Sequence, residues 1–340
     1  LLWVLLCLGA AEGGARAFWR VRSHVPLRHP SRILYAFYPG LREAAVQRPA
    51  PGDGFYDVLL LGGSTLHRDW GPVEQALAEQ LAEAGHRNVR VLNLAFPAHT
   101  SRDSRLKYAA LGEARFDLVV VYDGINDVRA NNAPPELFRE DYGHFRWYEM
   151  VNALAPYQDR AWLALPYTIR YLGISLRQIL HPSRYVPSDE PRPSWTQYGA
   201  AARSVASFAQ NLEAILDLAA RRGDRVVLMT FAVHVPQDYS LEAFEGKRLD
   251  YVLHRKPIED WGRPQDVLKA VAAQNEVVRR LAARHPEALL VDQAGLMDET
   301  PRFFNDPCHL TVAGAMRFAA DIVSGVGADP REGVAGSAAR

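Results

Sequence analysis

Five short, almost wholly apolar runs alternate with segments whose apolar residues recur at helical spacing, and this pattern constrains the chain more than any other feature. The runs are 57–62 (Asp-Val-Leu-Leu-Leu-Gly), 89–94, 116–122, 225–231 and 288–292. Between and after them lie helical patterns at 70–85 (Val73, Leu77, Leu81, with Gly85 as a stop), 101–111, 197–220, 265–285 and 311–323. Strands apolar on both faces, alternating with amphipathic helices, predict an α/β chain whose parallel sheet is covered on both sides. In such sheets the ligand crevice lies beyond the C-terminal ends of the strands. Polar residues just after a strand are therefore the ones to inspect.

Composition narrows the function classes. The chain has 340 residues, 39 Lys+Arg against 39 Asp+Glu, and 48% hydrophobic residues. Zero formal net charge argues against an electrostatic nucleic-acid binder. Two cysteines, Cys7 and Cys308, build no disulfide framework and match no zinc-finger spacing. Only four basic residues are lysines, Lys107, Lys247, Lys256 and Lys269, a bias that reads as codon usage rather than function.

The first eleven residues, Leu1 to Ala11, are apolar. As a helix they span about 16 Å, roughly half a bilayer core. With the small residues that follow, residues 1–17 are expected to be a signal peptide or a truncated membrane anchor. That places the protein at the cell envelope, exported or anchored. The arginines after the run favour the alternative, a cytoplasmic chain with a short packed helix. Residues 18–54, rich in Pro and Arg, are expected to form a connector, and 327–340 a disordered tail. Two insertions interrupt the alternation, at about 131–195 and 235–264. The first is rich in aromatics, among them Tyr142, Phe145, Trp147, Tyr148 and Tyr167, with a helix expected over 162–180 and a loop over 182–193. Such excursions serve as lids or substrate walls, or pack a satellite core.

Three strand-end motifs carry chemistry. The first strand ends in Gly62-Gly63-Ser64-Thr65, where two glycines allow a tight positive-φ turn and close backbone approach, presenting the Ser64 hydroxyl beside free N–H groups. The third ends in Asp123-Gly124-Ile125-Asn126-Asp127, placing the Asn126 amide in the same crevice as an oxyanion donor. Before the last helix stands Asp306-Pro-Cys-His309, in which a carboxylate can hold the imidazole Nδ1–H and leave Nε2 to take a serine proton. Alone, each motif has an ordinary structural reading as a cap or turn.

Together, and in this order, the motifs resemble those of the GDSL/SGNH hydrolase family over about 57–323, insertions excluded. The resemblance implies a flavodoxin-like three-layer α/β sandwich with a five-stranded parallel sheet, occupying 55–326. It implies Ser64 as nucleophile, His309 as general base and Asp306 as its orienter. Asn126, the Ser64 N–H and an N–H from the loop after the second strand would hold the oxyanion. That loop N–H aligns with Ala98, where the family has glycine; alanine serves unless φ must be positive. Gly124 joins Ala98 as an expected substrate-binding position. Gly-Gly-Ser-Thr also departs from the family's Gly-Asp-Ser-Leu, with the serine intact.

The implied activity is cleavage of a carboxylic ester, of a small molecule, lipid or carbohydrate, through an acyl-serine and without cofactor. A cell-envelope O-acyltransferase using the same triad and a catalytically silent membrane-tethered binding module are the alternatives. A metal site from His67, His99, His234 and His309 is the rival reading of the histidines, and their spacings fit no metal motif. Cys308 is expected to pack rather than react.

Overall fold

The computed structural model describes residues 1–187, 191–297 and 301–327. The expected 328–340 part of the tail lies outside them. Five parallel strands form one sheet in the order β2-β1-β3-β4-β5: β1 Tyr56–Gly62, β2 Val89–Asn93, β3 Leu118–Tyr122, β4 Val226–Met229 and β5 Leu289–Val291. The α/β architecture expected from the alternation is present.

Period-two alternation divides the strands between two cores. Val58, Leu60, Val120 and Tyr122 face the helices Val73–Glu83 and Val312–Val326. Leu59, Leu61, Val119 and Val121 face the helix Ser204–Arg222, with Phe208, Leu212 and Ile215. The helix Pro264–Arg284 contributes to both, through Val267 and Val271 on one side and Val278 and Leu281 on the other.

Three segments differ from the sequence expectations. The helix expected over 197–220 breaks into a 3-10 turn, Thr196–Ala201, and the helix Ser204–Arg222. Ala202 between them is left-handed at φ 47°, and the Ser204 N–H donates to Asn131 Oδ1 (2.7 Å), which starts the longer helix. Residues 18–54, where a connector was expected, are built into the domain: Leu34, Tyr38 and Leu41 are buried beside Leu59 and Leu61. The N-terminal apolar run belongs to a longer helix, Leu2–Ser23, whose Ala15 and Trp19 pack on Leu154 and Tyr167 of the first insertion. Among the described residues no helix is long and apolar enough to cross a membrane.

One buried carboxylate fixes how β3 enters the sheet. Asp224, before β4, accepts from the Phe116 N–H (3.1 Å) and the Tyr108 hydroxyl (2.6 Å). Asp224→Ala leaves two buried donors without their acceptor and is expected to cost about 1–3 kcal/mol, read from urea unfolding against the parent.

Candidate active site

The C-terminal ends of β1 and β3 lie side by side, with Gly62 in register with Tyr122. A Cβ on Gly62 would sit 2.5 Å from the Tyr122 carbonyl, and one on Gly63 2.5 Å from Asn126 Nδ2. Close approach, not positive φ, is what the Gly-Gly pair provides; neither glycine is left-handed. Ser64 then opens a 3-10 turn, Ser64–Leu66, and no helix follows until Val73.

The expected serine and histidine meet. Ser64 Oγ lies 2.8 Å from His309 Nε2, although 245 residues separate them in sequence. His309 Nδ1 lies 2.8 and 2.7 Å from the two oxygens of Asp306. A carboxylate only accepts, so Nδ1 carries the proton and Nε2 is left to accept from the serine. Asp306 is fully buried and also takes the backbone N–H groups of His309 (2.9 Å), Cys308 (3.1 Å) and Lys256 (3.2 Å). On the other face of His309, the Trp70 ring stacks at 4.0 Å. In turn, the Arg255 guanidinium lies over Trp70 at 5.3 Å.

Asn126 stands on the short helical turn Ile125–Val128. Its Nδ2 donates one hydrogen to the His99 carbonyl (2.9 Å), and its Oδ1 accepts from the Trp261 indole (2.9 Å). Nδ2 itself lies against Gly63, and among the described residues its second hydrogen has no acceptor. Ala98 is exposed and left-handed at φ 63°, the condition under which glycine is favoured. Among the described residues, neither the Ala98 nor the Ser64 N–H has an acceptor. Ala98 and Asn126 both line a cavity of about 220 Å³, walled also by Phe145, Trp147 and Tyr148 of the first insertion. Gly124 has a different setting: it is buried, and a Cβ there would lie 2.7 Å from Phe231, so its part is to admit that ring.

Several contributors carry no sequence signal. Lys256 and Trp261 touch the site from loops without periodicity, and Trp70, expected to open the helical pattern of 70–85, lies in the loop before Val73. Lys107, buried on the helix Ser101–Ala110, reaches under the Ala98 loop, donating to the Leu94 carbonyl (2.6 Å) and lying 3.2 Å from His99 Nδ1. Lysine only donates, so His99 Nδ1 accepts and the ring is neutral. Burial drives the His99 pKa down to about 3, with Asp103 opposing and Lys107 assisting. Burial likewise lowers the pKa of Lys107 and raises that of Asp123. Asp127 is pushed up to about 6 by burial, against hydrogen bonds from Ser101 and Tyr142. It anchors the turn rather than facing the cavity.

The four histidines named as a rival metal set do not gather. Among the described residues the one grouping of donors is Asp306, Cys308 and His309, within 4.8 Å of one another. There, Asp306 already engages His309 Nδ1 and the surrounding N–H groups. The Cys308 thiol is raised well above its ordinary pKa, chiefly by burial, and packs in the core as expected.

Residues 60–317 match the family model for the GDSL-like lipase/acylhydrolase family. The chain belongs to that family. Membership makes it an ester hydrolase at the level of the family. Solved structures similar to this GDSL-family chain include a lipase/acylhydrolase from Enterococcus faecalis, at 18% identity and TM-score 0.40, covering 79% of this chain and 93% of that one. Another is a variant of an acetyl xylan esterase from Geobacillus stearothermophilus, at 15% identity and TM-score 0.43, covering 83% and 97%. Among curated proteins none matches the sequence.

Two tests follow from the Ala98 loop. A left-handed alanine costs about 1–2 kcal/mol, partly offset in a glycine variant by about 0.4–1 kcal/mol of unfolded-chain entropy. Ala98→Gly should therefore be as stable as the parent or slightly more so, and Ala98→Val clearly less, by denaturation midpoint. Neutral buried His99 has a folded pKa below its unfolded one. Its contribution to stability is intact above about pH 6.5 and lost as pH falls toward about 3. The acid limb of stability against pH should be shallower in His99→Gln.

Proposed function

We propose that this GDSL-family hydrolase is a serine esterase working through an acyl-Ser64 intermediate. The observation that carries the reading is the continuous hydrogen-bonded line from Ser64 Oγ to His309 Nε2 and from His309 Nδ1 to Asp306. Ser64 Oγ attacks the ester carbonyl carbon while its proton passes to His309 Nε2. Asp306 stabilises the imidazolium that forms. The carbonyl oxygen, now negative, is met by the Ser64 and Ala98 N–H groups and the free Asn126 amide hydrogen. The tetrahedral species collapses, breaking the bond to the alcohol oxygen, which takes the proton from Nε2. Water then repeats the sequence on acyl-Ser64, yielding the acid and the free serine.

The cavity beside Ala98 and Asn126 supports a short acyl group. Its volume is about 220 Å³, and the aromatic rings of Phe145, Trp147 and Tyr148 line it. Trp70, stacked on His309, also borders a wider groove of about 1080 Å³ that carries Arg68, Arg255 and Arg302. That groove suits a larger, polar alcohol portion.

The reading is tested with purified full chain, a fluorophosphonate probe and p-nitrophenyl esters. The parent should label at Ser64 and turn over the acetate faster than the dodecanoate. Ser64→Ala should lose labelling and nearly all turnover, and Asn126→Ala should lose roughly 10²–10³ in kcat. Undiminished p-nitrophenyl acetate hydrolysis by Ser64→Ala would overturn the assignment.

A further inference from the structure

Among the described residues, two apolar helix surfaces are left uncovered, and the two helices are fastened to each other. On the N-terminal helix, every residue from Leu1 to Ala10 is exposed, and none is charged. On the helix Leu165–Leu180 of the first insertion, Ile169, Leu172, Leu176, Ile179 and Leu180 are all more than half exposed, along one face at spacings of three and four. Ile174, on the opposite side, packs inward with Trp19 and Tyr167.

The fastening is specific. Glu12 accepts the N–H groups of Ala164 and Leu165 (2.9 Å each), capping the start of the insertion helix. Trp19 Nε1 donates to Thr168 Oγ1 (2.8 Å), and Arg16 donates to the Trp162 carbonyl (2.7 Å). Past Glu12, toward the N-terminus, the first helix continues with no neighbour among the described residues to bury it. A helix apolar on all sides has no solvent-facing side to leave in water, so a single apolar groove does not satisfy it. At 1.5 Å per residue, ten such residues present about 15 Å of apolar helix.

Charge identifies the occupant. Residues 13–42 contain six arginines and no acid, and residues 160–187 contain four arginines and no acid. Arg16, Arg32 and Arg177 are paired with Glu12, Asp159 and Glu149. Arg20, Arg22, Arg28 and Arg170 are exposed; Arg22 lies over the Tyr171 ring of the insertion helix, and Arg170 stands on that helix beside Ile169. An apolar surface rimmed by uncompensated arginine fits an anionic lipid interface.

We propose that the N-terminal helix and the exposed stripe of Leu165–Leu180 form one surface that docks on an anionic membrane face. The first helix enters the leaflet and the insertion helix lies along it. The insertion helix packs on the helix Arg146–Leu154, which carries Trp147 and Tyr148 of the cavity wall. Docking thus fixes how the cavity is turned relative to the lipid. The proposal does not depend on the esterase reading, because binding is measured without turnover.

The test is flotation of the full chain with phosphatidylcholine vesicles, with and without phosphatidylglycerol. Binding should rise with phosphatidylglycerol, fall at high salt, and be unchanged in Ser64→Ala. The paired change Leu172→Glu and Leu176→Glu should lower partitioning about tenfold or more, with the parent's circular dichroism retained. Ile179→Glu, a single change at a more exposed position, should lower it in the same direction and serves if the pair does not fold. Vesicle binding by folded stripe variants equal to the parent's would overturn the proposal. So would a parent that ignores vesicles and is an oligomer that these variants make monomeric, since a second copy would then cover the stripe.

Discussion

The candidate site depends first on the meeting of the β1 and β3 ends, where Gly62 and Gly63 carry no side chain. A single methyl group at either position would strike the Tyr122 carbonyl or the Asn126 amide at 2.5 Å. Ser64 and Asn126 share a crevice only because β1 and β3 are neighbours in register. They are neighbours because their alternating apolar residues must be buried on both faces at once. The strand pattern, the sheet order and the site are thus successive consequences of one packing requirement. A side chain at Gly62 would press on the Tyr122 carbonyl and the Leu66 side chain, and one at Gly63 on the Asn126 amide, forcing the Ser64 turn away from Asn126.

Behind this contact lies a set of buried charges whose value is in position more than in net stability. Lys107 holds the Leu94 carbonyl and His99 Nδ1, so one ammonium group ties down both ends of the loop that carries Ala98. Nearby, Asp103 accepts from the Tyr38 hydroxyl and the Trp147 indole. The Tyr148 hydroxyl also donates to it. Removing one member leaves the others buried without partners, which costs more than the bonds contribute together. The same tie lets the loop hold alanine in a left-handed conformation that an unsupported loop would relax.

What the sequence disclosed follows from which interactions have a period. Strands and large helices were legible within a few residues because burial on a sheet or helix face repeats. Ser64, Asn126, Asp306 and His309 were legible because each sits just past a strand or just before a helix, where the crevice of a parallel sheet must lie. The left-handed Ala98 sat where glycine was expected, though its φ could not be read. Gly124, expected to bind substrate, is buried against Phe231, and a glycine admitting a ring and one admitting a ligand look alike in sequence. Residues 18–54 read as a connector from their Pro and Arg content, yet Leu34, Tyr38 and Leu41 already stood at four and three, the spacing of a buried face. Lys107 had a weaker cue, a rare lysine between apolar neighbours in a helix. For Lys256 and Trp261 there was none, and Trp70 read only as the start of a helix, since their contacts depend on where loops return in space.

Those returning loops decide the polarity of the site. An asparagine amide could present either its oxygen or its nitrogen to the serine. The Trp261 indole only donates, so it takes the Asn126 oxygen and the nitrogen must face Gly63 and Ser64. The imidazole could likewise carry its proton on either nitrogen. Asp306 only accepts and claims the proton for Nδ1, while the Lys256 N–H helps hold the carboxylate in place. Trp261 and Lys256 both belong to the second insertion. The sandwich therefore brings Ser64 within 3 Å of His309 and His309 within 3 Å of Asp306, and a segment outside its repeating pattern orients the amide and steadies the carboxylate that sets the tautomer.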